Sequence, residues 1–387
     1  MTKADGSLRL EIARSADELE RLRPAWEELP WQREEAAYEY FAARLRTRPD
    51  VIAPFAAVVF DGETAVAGLA GRLESRHLDT VLGYKVVYAP LVRFLRVVDG
   101  GLVAPEGPPR RALLEAVAGM LRRNEADVVG LPPFETGSAL YSELARLGGP
   151  LGRQPFIAPW TRRRLLLPAG FEEFLASRSH KTRKGIRQDE RRLEAAFGDR
   201  LSVEITRDPS GLERLIEGAD RVAGSTYQRA LGAGFADTVE QRALTEVGLS
   251  HGWVRGYLLY LDGDPIAYWL CSLYGDTMLL KTGGYDKAHT GHRVGIYLLM
   301  RVIEDACLHP TLRVLDFGPG DASYKQQFSS EGMLERNLVL FAPSFRARRI
   351  NATRTAILGP ARVARSVLDA TGLTERIRSS WRGRLRG

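Results

Sequence analysis

A chain of 387 residues allows one or two globular domains, and 44% hydrophobic with 27% charged residues is a balance typical of proteins that fold in water. No apolar run approaches the roughly 18 residues of a membrane-spanning helix, and the first ten residues lack the apolar core of a secretory signal. The two cysteines, Cys271 and Cys307, do not indicate a disulfide framework, so we expect a cytoplasmic protein.

The net charge of +7 is concentrated in one segment. Residues 345–387 contain eleven arginines but only two acidic residues, Asp369 and Glu375. We therefore predict an Arg-rich amphipathic tail over residues 345–387. It could dock on the protein or be disordered, lie on an anionic membrane surface, or bind the backbone of tRNA.

In chain order, the first half contains a strand, two helices, a hairpin, two strands, a helix and a strand. Ser15 and Glu18 have the spacing of a capping box, which is typical of a helix start. The predicted segments are 7–12 (strand), 15–26 and 33–45 (helices), 54–60 and 66–73 (hairpin), 85–88 and 95–102 (strands), 109–122 (helix) and 127–130 (strand).

The second half repeats this order, with a helix at 212–222, a hairpin over 257–273, a strand at 278–281, a helix at 294–307 and a strand at 312–317. The hairpins FDGETAVAGLAG and LDGDPIAYWLCS have a similar pattern. We predict an α/β protein in which a mixed sheet is flanked by helices and which consists of two similar domains, residues 1–165 and 166–344. The alternative is two unrelated α/β stretches.

Residues 275–328 contain the strand, loop, helix and strand of a βαβ unit. Ligands of such sheets bind beyond the carboxyl ends of the strands, so we place the active site in this unit. Gly283 and Gly284 are expected to allow a bulge that opens the strand. The residues at the ligand edge are Gly284, Tyr285, Gly291, Arg293, Gly295 and Asp316.

A long polar helix is predicted over residues 171–197. Its cations include Lys181, Arg183, Lys184 and Arg187. These side chains either contact phosphates, including those of tRNA, or form a solvated face that is paired with acidic neighbours.

Several motifs of the second half together resemble a known family. The segment STYQRALGAGF at 225–235, followed by GYLLYLDGDPIAYWL, GGYD, a Gly-containing loop before a helix and DFGPGDASYK, resembles the CelD-like acetyltransferases of the GNAT superfamily, which are similar to the Fem peptidyltransferases. The resemblance covers roughly residues 172–343. It implies tandem GNAT-like domains with a degenerate first domain, and splayed central strands that admit an acyl donor and an acceptor amine.

This resemblance implies an acyl-CoA donor whose pyrophosphate binds a loop at a helix N-terminus, where free N–H groups and the helix dipole attract an anion. It assigns donor binding to Gly291, His292, Arg293 and Gly295. Tyr297 occupies a position where the family has a small residue, and we expect it to crowd the pyrophosphate. In the first half, prolines in the corresponding segment 99–109 remove donors.

The segment YKQQF at 324–328 resembles the FKxxF segment of the Fem-like relatives, which take an aminoacyl group from tRNA. The resemblance implies that Lys325 supports the tetrahedral intermediate, a role for which a fixed ammonium is well suited. The alternative is an exposed lysine paired with Asp316 or Asp321.

Four further residues are candidates for the site. Asp316 could accept a proton from the attacking amine, or it could cap the following turn. Tyr285 and Tyr324 could donate to the acyl oxygen or leaving group, or they could serve in packing. Tyr227 and Arg229 are expected on the acceptor side.

The signatures of serine hydrolases and P-loop proteins are absent, and the six histidines lack metal-ligand spacing, so no metal is expected. We predict an N-acyltransferase that transfers an acyl group from acyl-CoA to an amine, or to a hydroxyl, of a small molecule, saccharide or peptide. One alternative is a Fem-like transferase that uses aminoacyl-tRNA. The other is a catalytically degenerate scaffold subunit. The tail would add a peripheral membrane contact.

Overall fold

The computed structural model describes residues 8–83, 85–149, 151–226 and 234–370, with side chains up to residue 360. It confirms the predicted α/β class, because helices flank a large mixed sheet. The strands are β1 (Arg9–Ala13), β2 (Val51–Asp61), β3 (Thr64–His77), β4 (Thr80–Leu82), β5 (Lys85–Tyr88), β6 (Leu91–Val103), β7 (Val128–Glu135), β8 (Trp160–Leu166), β9 (Leu201–Thr206), β10 (Val254–Leu261), β11 (Asp264–Tyr274), β12 (Thr277–Tyr285), β13 (Val314–Pro319) and β14 (Glu331–Phe341).

Eleven α-helices lie in the described part of the chain. They are α1 (Ala16–Glu27), α2 (Tyr38–Thr47), α3 (Pro108–Arg122), α4 (Ala139–Leu147), α5 (Phe171–Ala176), α6 (His180–Phe197), α7 (Leu212–Gly224), α8 (Val239–Ser250), α9 (Val294–Leu308), α10 (Ser323–Phe328) and α11 (Phe345–Ala370). None of these helices has both the length and the apolarity needed to cross a bilayer.

The two halves share one continuous sheet of twelve strands, in the order β1-β2-β3-β6-β7-β14-β8-β13-β12-β11-β10-β9. The central strands are exchanged: β14, from the end of the second half, pairs with β7 of the first half, and β8 pairs with β13. Strands β8 and β14 also pair with each other, which joins the two half-sheets. The hydrophobic pattern of 331–341 gave no indication of this exchange.

In each half, two parallel strands pair briefly and then separate. Strands β12 and β13 form three residue pairs, the last between Leu279 and Asp316, although β12 continues to Tyr285 and β13 to Pro319. Strands β6 and β7 also form three pairs, the last between Arg96 and Gly130. The sequence resemblance predicted such splayed strands, and the gap between β12 and β13 is where a ligand could enter.

The bulge expected at Gly283 and Gly284 lies at Lys281, because Leu270 pairs with Thr282 and Cys271 with Leu280. The bulged Lys281 side chain crosses to the first half, where its ammonium donates to Glu34 at 2.6 Å. Although burial would lower it, the pKa of Lys281 is raised because Glu34 stabilises the charged form.

Two predicted helices differ from the observed ones. The helix predicted over 33–45 is a 3₁₀ turn, Glu34–Ala36, followed by α2. The helix predicted over 171–197 is divided into α5 and α6, because Ser179 acts as an N-cap and accepts a hydrogen bond from the N–H of Thr182 at 3.2 Å. The predicted tail begins as α11, whose Ala347 and Ile350 are buried in the core of the first half.

Candidate active site

A cleft of about 490 Å³ opens where β12 and β13 separate. Strand β12, the loop after it, helix α9 and helix α10 form its walls, and its floor is largely apolar. Its lining residues are Thr226, Trp269, Gly283, Gly284, Tyr285, Lys287, Thr290, Arg293, Gly295, Ile296, Leu299, Ser323, Tyr324 and Gln327.

Helix α9 begins at this cleft without a side-chain cap. Its N-cap residue, Arg293, has a left-handed backbone with φ of 54°. The first N–H groups of a helix have no acceptor within the helix, and Gly295 lines the cleft whereas Val294 is fully buried, so the N–H of Gly295 is the one available to an anion. Gly295 packs closely, because a Cβ there would lie 2.8 Å from the Tyr285 ring. The cleft therefore has the geometry of an anion-binding site at one end.

The cations and loop residues differ partly from those expected. Arg293 lines the cleft and pairs with Asp189 at 2.9 Å. His292 instead packs its ring against Phe197, with the centroids 4.7 Å apart, and neither it nor Gly291 is among the lining residues. Lys287 lines the cleft but was missed, although it is the only lysine between Gly284 and Arg293.

Tyr297 does not crowd the cleft, contrary to our expectation. Its side chain points to the opposite side of α9, where it lies against α6 near Ile186 and Asp189. The Arg301 guanidinium lies 5.2 Å from its ring centroid. A large residue is tolerated here because the side chain leaves the helix away from the loop.

Asp316 lies in the interior between the halves and has no exposed surface. One of its carboxylate oxygens accepts hydrogen bonds from Arg33 and Arg162, both at 2.7 Å, and the other accepts from the N–H of Gly318 at 2.8 Å. Although burial would raise it, the pKa of Asp316 is lowered because Arg162 and Arg33 stabilise the carboxylate. This arrangement favours a structural role over the proton-accepting role predicted from the sequence.

Lys325 is buried, so the alternative of an exposed lysine is wrong. Its ammonium donates to the carbonyl oxygens of Pro319 at 2.7 Å and Gly318 at 3.3 Å. Burial lowers the pKa of Lys325. The lysine is not among the residues that line the cleft, and it fixes the turn between β13 and α10. Its predicted part in stabilising the intermediate stays a prediction.

The two predicted tyrosines both line the cleft. Tyr324 lies on α10, and its ring meets Phe317 edge to face with centroids 6.4 Å apart. Burial raises the pKa of Tyr324 to about 12, so the hydroxyl keeps its proton at neutral pH. Tyr285 ends β12 and is 40% exposed. Tyr324 is therefore the better-placed proton donor.

The cations of α6 divide into two groups. Lys181, Lys184 and Arg187 are exposed, whereas Arg183 donates to the carbonyl oxygen of Ala176 at 2.9 Å. The opposite face of α6 packs on the second half through Ile186 and other buried side chains. The exposed cations therefore face away from the core of the second half, and none of them lines the cleft.

Two further predictions concern the acceptor side of the site and metal binding. The predicted acceptor-side residues Tyr227 and Arg229 lie outside the described residues, and Thr226 just before them lines the cleft. Among the described side chains, no three of His, Cys, Asp or Glu form a group that could hold a metal ion.

The corresponding position in the first half is filled by protein. The segment around the 3₁₀ turn packs on β6, where Gln32 donates to the carbonyl of Gly100 at 3.4 Å, and a Cβ on Gly100 would lie 2.6 Å from Arg33. Helix α3 begins with Pro108 and Pro109, which have no N–H to offer an anion. The degenerate GNAT-like first half that the sequence resemblance implied stays a prediction.

Comparisons with known proteins agree with this geometry. Residues 180–326 match the family model of the acetyltransferase (GNAT) domain. The fold is similar to a crystal structure of FemX, at 12% identity and a TM-score of 0.56, over 84% of this chain and 96% of that chain. It is also similar to a conserved protein of unknown function from Bacteroides thetaiotaomicron VPI-5482, at 10% identity and a TM-score of 0.50, over 86% of this chain and 100% of that chain.

No curated protein sequence matches the chain significantly. At these identities the structural similarity shows the fold alone. The cleft, however, lies within the segment that matches the family model or next to it. Residues 180–326 of the second half are therefore similar to the GNAT acetyltransferase domain, and the fold of the chain is similar to that of FemX.

Proposed function

We propose that the protein is an N-acyltransferase that uses acyl-CoA and forms an amide on an amine acceptor. The observation that carries this proposal is the position of the cleft, which joins the uncapped N-terminus of α9 to the gap between β12 and β13. The helix N-terminus suits a pyrophosphate, and Lys287 and Arg293 add positive charge. The apolar floor, which includes Trp269 and Leu299, suits the thioester arm.

In this reaction the amine attacks the thioester carbonyl, the carbon–sulfur bond breaks and the thiolate leaves. We assign the transfer of a proton to this thiolate to Tyr324, which lies in the cleft and stays protonated at neutral pH. The proton that the amine loses passes through water to the Tyr324 oxygen, which restores the tyrosine for the next cycle. No covalent enzyme intermediate is needed, because positioning the two substrates supplies much of the rate.

The acceptor is a small molecule, a saccharide or a peptide with a free amine, or a hydroxyl if an ester forms. The resemblance of residues 172–343 to the CelD-like acetyltransferases supports acyl-CoA as the donor. A buried Asp316 and a turn held by Lys325 would keep β13 and Tyr324 in place during turnover.

A second candidate is an aminoacyl-tRNA donor. The observation that favours it is the row of exposed cations on α6, Lys181, Lys184 and Arg187, which could contact a phosphate backbone outside the cleft. The arginines of residues 345–387 could add to this contact. A scaffold protein without turnover would need neither donor.

A pair of single substitutions separates the donors. Replacing Lys287 by alanine removes a charge from the cleft, and we expect the Kd for acetyl-CoA to rise about tenfold in isothermal titration. Replacing Lys184 by alanine removes the same charge from outside the cleft, so it should leave this Kd unchanged.

The same two variants are titrated with mixed aminoacyl-tRNA at several salt concentrations. If tRNA is the donor, Lys184→Ala should lower the salt slope of binding by about one unit, and acetyl-CoA should not bind. If the protein binds neither acetyl-CoA nor aminoacyl-tRNA, both enzyme proposals are contradicted, and the hypothesis of a scaffold subunit without turnover is left.

A further inference from the structure

The surface around the start of α11 is unusually apolar. Seven of the fifteen exposed large hydrophobic side chains in the described part of the chain lie there, among them Phe345 at 82%, Leu151 at 70% and Val86 at 55%. The whole set is Val81, Leu82, Val86, Val87, Leu91, Leu151 and Phe345. An apolar surface of this kind on a folded protein commonly marks an interaction site.

Specific hydrogen bonds hold these segments around one helix. Arg354 of α11 donates to the carbonyl oxygens of Leu78 at 2.9 Å and Asp79 at 2.8 Å, just before the β4–β5 hairpin. Arg346 donates to the carbonyl of Leu91 at 2.6 Å, and Asn351 donates to that of Leu151 at 2.9 Å. We call these seven side chains, together with the exposed face of α11, the α11 surface.

The same surface is positively charged. Residues 345–360 contain four arginines and no acidic residue. Arg354 is buried, but Arg348 and Arg349 are exposed and form no ion pair among the described residues. Lys85 is exposed on the hairpin. An apolar surface flanked by unpaired cations is complementary to a layer that is apolar inside and anionic outside.

The hairpin itself distinguishes a lipid layer from a protein partner. Val81 pairs with Val86, and Leu82 pairs with Lys85, so successive residues point to opposite faces of the ribbon. Val81 and Val86 lie on one face, and Leu82 lies on the other with Lys85, while Val87 is the extra residue at the register shift between Thr80 and Val81; all of these side chains except the buried Thr80 are exposed. A flat protein interface covers one face of a ribbon, whereas lipid surrounds both.

We propose that the α11 surface binds an anionic lipid bilayer. The hairpin side chains would enter the boundary between headgroups and acyl chains, and Arg348 and Arg349 would pair with lipid phosphates. The cleft is lined by residues of the second half only, so the proposed lipid contact and the cleft use different residues. This inference does not depend on the identity of the acyl donor.

The test uses the full chain and vesicle flotation. The protein is mixed with phosphatidylcholine vesicles, with and without phosphatidylglycerol. We expect binding only to the anionic vesicles and expect it to weaken as salt increases. The double variant V86D/V87D should bind these vesicles about tenfold more weakly, because two charged groups resist entry into the interface.

The matched control is V239D/L308D, which adds the same charges at two side chains of the second half that are 77% and 74% exposed. It should float like the wild type, and both variants should keep the wild-type thermal midpoint.

Three results would each overturn the inference. They are no binding of the wild type to anionic vesicles, equal binding by V86D/V87D and wild type, and a lipid-free dimer of the wild type that V86D/V87D disrupts. The last result would show that a second copy of the chain covers the surface.

Discussion

Replacing Asp316 by alanine is expected to lower the free energy of unfolding by about 3–5 kcal/mol, because it leaves two buried arginines without their shared partner. Asp316 has no exposed surface, and both Arg33 and Arg162 contact the same carboxylate oxygen at 2.7 Å. Arg33 belongs to the first half, and Arg162 lies on the exchanged strand β8. The substitution should therefore weaken the contact between the two halves. Urea unfolding followed by tryptophan fluorescence measures the difference in the free energy of unfolding between the wild type and the variant.

Asp321 provides the matched control for this substitution. It is an exposed carboxylate on the loop that follows β13, and it pairs with Arg163 at 2.5 Å. Asp321→Ala should cost less than about 1 kcal/mol, as exposed ion pairs do. Unfolding midpoints that are equal for the two variants would contradict the structural role of Asp316.

The effect of Asp316 should also depend on pH. Its pKa is below the ordinary value of 3.8, so its contribution is fully present above that pH and is lost as the pH falls through the lower folded-state pKa. The stability difference between the wild type and Asp316→Ala should therefore shrink in strong acid. A constant difference down to strong acid would contradict this assignment.

Replacing Tyr324 by phenylalanine is expected to lower kcat about 100-fold, because the leaving thiolate loses its proton donor. The KM for acetyl-CoA should change little, since the ring still lines the cleft. Turnover is followed by release of the CoA thiol with any amine that supports it. Because the pKa of Tyr324 is about 12, deprotonation of its hydroxyl should not lower the wild-type rate below a pH of about 10.

Tyr297→Phe is the control for this experiment, because it removes a hydroxyl from the side of α9 that faces α6. It should leave kcat at the wild-type value. Equal rates for wild type and Tyr324→Phe would remove Tyr324 from the mechanism, and another donor would have to be found.

Local signals in the sequence predicted much of the second half. The helix that begins at Val294 and the strand that ends near Pro319 follow from hydrophobic spacing, and the Ser15 cap of α1 follows from its motif. Gly284, Tyr285, Arg293, Gly295 and Tyr324 were all selected as site residues, and all five line the cleft. The positions of these residues depend on interactions within a few residues of the chain, and their roles stay predictions.

The failures involve contacts between distant segments. Asp316 meets Arg33 across 283 positions, and β14 pairs with β7 across the whole second half, so neither contact leaves a local pattern. The directions of side chains were also missed. His292 and Tyr297 stand at the expected positions on the chain, but packing against Phe197 and α6 turns both away from the cleft.

The central claim is that the cleft between β12 and β13 binds acyl-CoA, and a crystal structure of the protein with acetyl-CoA tests it most directly. We predict a pyrophosphate oxygen within hydrogen-bond distance of the N–H of Gly295, Lys287 beside it, and the thioester sulfur facing Tyr324. Acetyl-CoA bound elsewhere, or an empty cleft at a saturating concentration of acetyl-CoA, would contradict the claim.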